Sequence, residues 1–152
     1  MSEGCMIRPA DATEVDVLAD IYRRSSLSND GDRNMLLAHA DVLEFAGDGI
    51  ADGRTRVATV NGTVVGFSTT LDAGGVVDLE DLFVDPAWMR KGIGLALMRD
   101  VVERARERGA RVIEVTANPH ALAFYARAGF VPYGTAETRF GAAERLQIDL
   151  RQ

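Results

Sequence analysis

The sequence predicts a fold of helices and strands together, α/β in the broad sense that includes α+β. It is a single domain over residues 1–152, with a mixed, mostly antiparallel seven-stranded sheet flanked by about four helices. Two observations support this prediction. Short runs rich in β-branched and aromatic residues are interspersed with segments of helical apolar spacing. In addition, Asn61-Gly62, the strongest short hairpin signal, joins two of the runs. A chain of 152 residues can bury one hydrophobic core.

The elements follow in chain order. The first strand is predicted at residues 5–8, and Asp11 with Glu14 forms the capping box of a first helix. A turn-rich stretch precedes a second helix at residues 34–45. The remaining strands are predicted at residues 54–60, 63–71, 76–84, 111–116, 130–138 and 145–150. The strand at 111–116 should lie parallel to the central strand at 76–84, because a helix connects the two.

Composition and charge exclude several classes of function. The chain has 17 Lys and Arg against 23 Asp and Glu, a net charge of −6, which disfavours nucleic acid as a partner. No apolar run approaches the length of a membrane span. The single Cys5 excludes an internal disulfide, and the first residues lack an apolar signal core, so a cytoplasmic location is expected. His39 and His120 are too far apart to supply a metal-ligand cluster.

The connection after the central strand has the composition of an anion site. The strand stops at Pro86, which cannot donate to a ladder, and an amphipathic helix then runs to a C-cap at Gly109. Two cations and two glycines lie where this helix begins: Arg90, Lys91, Gly92, Ile93, Gly94 and Leu95. Unpaired N–H groups, the positive end of the helix dipole and side-chain charge therefore meet in one place. This combination favours phosphate.

Two common phosphate-binding motifs do not match this loop. The dinucleotide fingerprint requires a third glycine where Leu97 stands, and a Walker loop requires Lys and Ser or Thr after its glycine. Glu114, however, lies about where a ribose-binding acid would sit in a dinucleotide unit. The loop by itself therefore does not exclude a small nucleotide-binding domain, although the hairpin strands before the loop disfavour this interpretation.

A longer pattern resembles the GNAT superfamily of acyl-CoA-dependent N-acyltransferases. The matching segments are Leu82-Phe83-Val84-Asp85-Pro86, Gly92-Ile93-Gly94, Asn118 and Phe124-Tyr125-Ala126-Arg127-Ala128-Gly129-Phe130. One position departs from the family pattern, because Met89 replaces an Arg or Gln three residues before the first glycine. Since main-chain N–H groups bind the pyrophosphate in this family, and Arg90 and Lys91 are adjacent, CoA binding is expected despite the change.

The resemblance implies acetyl-CoA as the acyl donor, an amine as the acceptor and no metal. It also implies a V-shaped split between the two central parallel strands, which holds the pantetheine arm. The implied cofactor-binding residues lie on the central strand, on the loop and around the last helix: Leu82, Phe83, Val84, Arg90, Lys91, Gly92, Ile93, Gly94, Leu95, Asn118 and Tyr125. A homodimer is left as an option, since dimers are the commonest assembly of such domains.

The resemblance further implies the catalytic residues. Main-chain N–H groups at residues 82–84, where the family's central strand has a bulge, would polarise the thioester oxygen. Tyr125 would donate a proton to the departing thiolate, or else it only packs its helix on the sheet. Glu80 is the first choice for the base and Asp78 the second, but both could instead solvate the strand end or hold a cationic substrate. Asn118 either bonds the pantetheine arm or caps the next helix.

Two functions therefore stay open. The first is transfer of acetyl from acetyl-CoA directly to a primary amine of a small molecule or protein. The alternative is a non-catalytic acyl-CoA-binding sensor or interaction module, which would need neither Tyr125 nor the strand acids. The acceptor is expected to be encoded in residues 25–53, but no residue there separates small amines, amino acids, antibiotics, polyamines and protein amino groups. The sequence also does not decide whether the protein transfers acyl groups larger than acetyl.

Overall fold

The computed structural model describes residues 4–28, 34, 36–45, 47–138 and 141–151. The strands in this part of the chain are β1 (Cys5–Pro9), β2 (Thr55–Val60), β3 (Thr63–Ala73), β4 (Val76–Val84), β5 (Val112–Ala117), β6 (Val131–Thr138) and β7 (Gly141–Asp149). They form one sheet in the order β1-β2-β3-β4-β5-β7-β6. The predicted α/β class with a mixed seven-stranded sheet is confirmed.

Helices of different lengths connect these strands. They are α1 (Val15–Leu27), α2 (Asp48–Ala51), α3 (Ile93–Glu107) and α4 (Leu122–Arg127), with 3-10 turns at Ala12–Glu14, Ala40–Leu43, Pro86–Trp88 and Pro119–Ala121. Residues 34 and 36–38 are also helical. Within the described residues, none of the helices is both long enough and apolar enough to cross a membrane.

Two strand pairings, β2 with β3 and β4 with β5, have the predicted directions. Strand β2 pairs antiparallel with β1 and with β3, and Asn61 (φ 52°) and Gly62 (φ 80°) form the predicted tight turn between β2 and β3. Strand β4 pairs parallel with β5, as expected for two strands joined by a helix. Strand β7 pairs antiparallel with both β5 and β6, so the last strand in sequence lies between them.

The chain divides into two compact units, residues 1–69 with 81–97 and residues 70–80 with 98–152, so the single-domain assignment stays a prediction. The first unit has a core on both faces of β2. One cluster consists of Leu18, Ile21, Val57 and Phe67, and the other consists of Ala58, Val65, Ile93 and Leu97. Because successive side chains point to opposite faces of a strand, the neighbours Val57 and Ala58 anchor different clusters.

The second unit has an apolar face and a polar face on β5 and β7. Ile113, Val115 and Leu146 are all buried, each at no more than 3% exposure. The opposite face carries two polar register pairs, Glu114 with Gln147 and Thr116 with Arg145, because side chains alternate between the faces of a strand. This polar face holds the side-chain cluster described below.

The structure departs from the sequence predictions mainly where elements end. In the stretch predicted as a helix at 34–45, residues 34 and 36–38 are helical, whereas Ala40–Leu43 form a 3-10 turn and Glu44 is extended (φ −82°, ψ 132°). The last strand begins at Gly141, four residues earlier than predicted, because its pairing with β6 starts there. Helix α2 was not predicted. Within the acceptor stretch predicted at 25–53, residues 29–33 lie outside the described residues.

Candidate functional site

Within the first unit, side chains on both faces of the strand pack against the end of β4. Phe83 packs against the cluster that contains Phe67, with 5.7 Å between the two ring centroids. Leu82 and Val84 pack against the opposite cluster, the one that contains Ile93. The bulge expected at residues 82–84 stays a prediction. The packing holds this segment of main chain in a defined position.

Asp85 fixes the chain as it leaves β4. Its backbone N–H donates to the carbonyl of Val65 (2.8 Å), and its carboxylate accepts from the backbone N–H of Ala87 (2.9 Å). Both oxygens also accept from the Arg24 guanidinium on α1, at 2.7 and 2.9 Å. The hydrogen bond from Arg24 is the main reason that the pKa of Asp85 lies below its ordinary value. The strand end, α1 and the turn before the loop are thus held together.

The loop before α3 has an unusual backbone. Arg90 (φ 64°) and Gly92 (φ 81°) are both left-handed, and Arg90 is one of two described non-glycine residues in that region. Arg90 and Lys91 are exposed, whereas Ile93 is 3% exposed and belongs to a core cluster. The buried isoleucine therefore anchors a loop whose cations face solvent.

The first turn of α3 offers backbone donors. The carbonyl of Gly92 accepts from the N–H of Ala96 (3.0 Å), which places the start of the helical bonding there. The N–H groups of Ile93, Gly94 and Leu95 precede this bond and have no acceptor within the helix. A helix of 15 residues adds its dipole at this end. Together with Arg90 and Lys91, these donors suit a phosphate group.

Asn118 caps the turn that leads into α4. It is extended (φ −78°, ψ 162°), and its Oδ1 accepts from the backbone N–H of Ala121 at 3.1 Å. Pro119 occupies the first position of the turn, where the missing N–H costs nothing. The capping interpretation is confirmed, while a contact of Asn118 with pantetheine stays a prediction.

Tyr125 lies near the end of α4 and is 7% exposed. Its ring makes edge contacts with Phe124 and Phe130, at centroid distances of 5.2 and 5.3 Å. Its carbonyl accepts from the backbone N–H of Phe130 (3.0 Å), across the left-handed Gly129 (φ 101°). These contacts give Tyr125 a packing role at the end of α4, while packing of the helix on the sheet stays a prediction. Its role at the CoA sulfur stays a prediction.

The two candidate bases lie in different surroundings on β4. They are two residues apart and so share a face of the strand. Glu80 is exposed, whereas Asp78 is half-buried and lies 3.6 Å from Arg145 Nη1. Asp78 is also the register partner of Glu114 on β5, and Glu114 Oε1 accepts from Arg145 Nη2 at 3.0 Å. Arg145 thus connects the second-choice base to a second carboxylate.

Sequence reasoning missed Arg145. Its guanidinium also donates from Nη1 to the hydroxyl of Thr116 (2.5 Å) and from Nε to the hydroxyl of Tyr133 (3.0 Å), so from β7 it contacts three other strands: β4, β5 and β6. We call Arg145, Asp78, Glu114, Thr116 and Tyr133 the Arg145 cluster. Polar residues alternating with Leu146 and Ile148 predict a polar face on β7, but its partners depend on the strand order. Across the described residues, no group of three or more His, Cys, Asp or Glu could hold a metal ion.

The fold and the loop define the class of protein. It is an α/β protein with a mixed sheet, in which a glycine-containing loop opens the helix between two parallel strands. Residues 16–130 match the model of the acetyltransferase (GNAT) family, and the chain belongs to that family. The resemblance noted in the sequence is thereby confirmed.

Named relatives agree with this assignment, and a solved structure agrees with the fold. The chain is 34% identical over 92 residues to glucosamine 6-phosphate N-acetyltransferase 1 of Oryza sativa subsp. japonica, a match that covers 60% of this chain and 54% of the relative. It is 41% identical over 86 residues to streptothricin acetyltransferase of Streptomyces lavendulae, covering 53% and 46%. The matches thus span about half the length of these relatives. The crystal structure of the PaiA N-acetyltransferase of Thermoplasma acidophilum with coenzyme A superposes with a TM-score of 0.76 at 16% identity, over 95% of this chain and 98% of that one.

Proposed function

We propose that this protein is an N-acetyltransferase that moves an acetyl group from acetyl-CoA directly to a primary amine of a small molecule or protein. The observation that carries the proposal is the loop at residues 89–95. It combines exposed cations with the unpaired N–H groups at the start of α3, in a chain of the acetyltransferase family. The pyrophosphate of acetyl-CoA supplies the anion that such a loop binds.

The loop is suited to the donor in spite of Met89. Met89 is 40% exposed, and its neighbours Arg90 and Lys91 are exposed as well. The main chain from Gly92 onward supplies N–H donors that do not depend on the identity of the side chain at position 89. Charge at Arg90 and Lys91 supplements these donors, because cations near a bound phosphate strengthen its hydrogen bonds. We therefore assign pyrophosphate binding to residues 90–95.

The reaction requires a neutral amine, a polarised carbonyl and a protonated leaving group. The amine nitrogen attacks the thioester carbon, and the oxyanion that forms accepts from main-chain N–H groups of residues 82–84. The C–S bond then breaks. Glu80 takes the proton that the substituted ammonium loses, directly or through water, and Tyr125 donates a proton to the CoA thiolate. Asp78 is the weaker candidate base, because Arg145 already lies 3.6 Å from its carboxylate.

The class of acceptor follows from the relatives and stays broad. One relative is named for glucosamine 6-phosphate and another for streptothricin. We assign an amine acceptor on this basis and leave its scaffold to a substrate panel. Glucosamine 6-phosphate, streptothricin, a polyamine and a short peptide with a free N-terminus sample the main alternatives.

The decisive experiment combines binding and turnover. Acetyl-CoA binding to the wild type and to Tyr125→Phe is measured by calorimetry, and thiol release is followed with the amine panel. We expect both proteins to bind acetyl-CoA and to have similar melting temperatures, because the ring and its contacts with Phe124 and Phe130 are retained. We expect kcat to fall about 100-fold in the variant, the lower end of the range for general acid–base groups.

Other outcomes would change the assignment. The burial of Tyr125 between two aromatic rings suits a purely structural residue, and wild-type turnover that Tyr125→Phe leaves unchanged would remove it from the mechanism. Binding without turnover of any amine would favour an acyl-CoA sensor. Absence of acetyl-CoA binding would refute the proposal.

A further inference from the structure

We propose that Arg145 is a positioning residue for the acceptor half of the reaction: it fixes Asp78 and Glu114 and offsets one of their two negative charges beside Glu80. The inference rests on the proposed function for its effect on turnover. The cluster itself can be tested without turnover. Every contact that supports it lies within the second unit, residues 70–80 and 98–152.

The geometry shows why these two carboxylates need a cation. Asp78 and Glu114 are register partners in the parallel β4–β5 pair, and adjacent strands are about 4.8 Å apart. Like charges directly opposite each other on neighbouring strands destabilise a sheet. Arg145 lies on β7, whose position 145 pairs with Thr116 of β5, and its side chain reaches Glu114 on the adjacent strand β5 and Asp78 on β4, one strand beyond.

The guanidinium is held in one orientation. Its Nε donates to the Tyr133 hydroxyl, Nη1 to the Thr116 hydroxyl and Nη2 to the Glu114 carboxylate. The side chains of Arg145 and Glu114 are 21% and 25% exposed, less than is typical of surface ion pairs, which contribute little. A planar fork with fixed donors can satisfy three neighbours at once, and a lysine ammonium cannot reproduce that arrangement.

The cluster adjoins the candidate base. Glu80 and Asp78 are two residues apart on the same face of β4, about 7 Å along the strand. Among the described residues of these strands, the charged groups that register and contacts place on this face include Asp78 and Glu80 of β4, Glu114 of β5, and Arg145 and Asp149 of β7, with the phenol of Tyr133 from β6. Loss of Arg145 leaves the acids without their cation, so that repulsion between Asp78 and Glu114 displaces the segment of β4 that carries Glu80. Misplacement of a catalytic group by about 1 Å can reduce turnover 100-fold.

The chain contains a matched control. Arg151 pairs with Asp149 (2.9 Å) near the end of the same unit, but its side chain is 68% exposed and it contacts no member of the Arg145 cluster among the described residues. Arg151→Gln therefore removes one arginine and one ion pair while the cluster stays intact. Arg145→Lys keeps the charge but loses the fork.

The first test needs no substrate. Thermal unfolding of the wild type, Arg145→Gln and Arg151→Gln is measured at one pH in low salt and in about 1 M NaCl, because salt screens the repulsion between like charges. We expect Arg145→Gln to lower the melting temperature most in low salt, where the repulsion between Asp78 and Glu114 is least screened, and the loss to shrink as salt is added. Arg151→Gln should show a small loss at both salt concentrations. A loss in Arg145→Gln that does not vary with salt would overturn the electrostatic role.

The second test addresses positioning. With the best amine of the panel, we expect Arg145→Gln to reduce kcat/KM for the amine about tenfold or more. Its affinity for acetyl-CoA, measured by calorimetry, should stay at the wild-type value. Arg145→Lys should restore activity only in part. Arg151→Gln should match the wild type in both measurements. Equal kcat/KM in Arg145→Gln and wild type would overturn the positioning role while the proposed function stands. A wild type that acetylates no amine would overturn the proposed function and the positioning role together, and the unfolding experiment would still decide whether the cluster is electrostatic.

Discussion

The loop before α3 and the Arg145 cluster assemble their polar groups in opposite ways. The loop gathers its donors from seven consecutive residues, 89–95, and combines main-chain N–H groups, whose direction the backbone sets, with the side chains of Arg90 and Lys91. The cluster gathers side chains from four strands, between Asp78 and Arg145 in sequence. The loop therefore depends on backbone conformation and the cluster on strand register. Substitutions that alter one of these properties should affect one region and spare the other.

The largest expected effect comes from a strand glycine in the first unit. A Cβ at Gly66 would lie 2.8 Å from the carbonyl oxygen of Phe83 and 3.2 Å from a Leu97 methyl carbon, in a buried position. Gly66→Ala should reduce the free energy of unfolding by about 1–3 kcal/mol, because the Phe83 main chain must shift. Urea denaturation measures the loss.

A second strand glycine provides the control for Gly66→Ala. A Cβ at Gly134 on β6 would meet no atom within 4 Å, and the φ of Gly134 is not left-handed. Gly134→Ala should be neutral or slightly stabilising, by up to about 1 kcal/mol. Equal destabilisation by the two substitutions would contradict the close approach of β3 to the end of β4.

The next effect tests whether the loop acts through its backbone. Gly92 is left-handed (φ 81°), a conformation that costs other residues about 1–2 kcal/mol. Gly92→Ala should weaken acetyl-CoA binding about tenfold in calorimetry, because the loop relaxes away from its donor geometry. Gly109→Ala carries the same strain (φ 78°) at the C-terminus of α3 with no atom within 4 Å of the new Cβ. It should lower stability similarly and leave acetyl-CoA affinity unchanged, whereas equal loss of affinity in both variants would count against a local role of the loop.

The same contrast explains what could be predicted from the sequence. Strand β4 was predicted with its observed ends because Pro86 marks its limit, and the β2–β3 turn because Asn61-Gly62 accepts left-handed φ. The loop was found because its glycines and cations are contiguous. These signals are local, and their physical causes act over a few residues.

The parts that were missed depend on long-range pairing or on weak local preferences. The contact of Arg145 with Glu114 requires β7 to lie between β5 and β6, and no local pattern specifies that order. Asp78 was therefore ranked as a candidate base without its cation. In the stretch predicted as a helix at 34–45, the chain instead forms the 3-10 turn Ala40–Leu43 and an extended Glu44, and helical spacing is only a weak guide to such local structure.

The smallest expected effect concerns the link between α1 and the turn before the loop. Asp85 bonds Arg24 through both oxygens, and this hydrogen bonding holds its pKa below the ordinary value. A carboxyl group whose pKa is lowered by folding stabilises the protein above its unfolded pKa of about 3.9, and this contribution disappears as the pH falls through the folded-state pKa. Asp85→Asn should therefore lower the free energy of unfolding at pH 7 by about 0.5–1 kcal/mol, since Arg24 is 42% exposed and solvent screens the pair.

The control for Asp85→Asn is the other carboxylate that Arg24 contacts. Asp20 accepts from Arg24 Nε at 2.8 Å but is 58% exposed and lies on the same helix, four residues away. Asp20→Asn should cost at most about 0.5 kcal/mol. Urea unfolding of both variants at pH 7 and pH 3 separates the two pairs: the deficit of Asp85→Asn should be the larger at pH 7 and should decrease at pH 3. The absence of a deficit for Asp85→Asn at both pH values would mean that Asp85 acts as the cap of the turn at Ala87, which asparagine can also supply, and not through its charge.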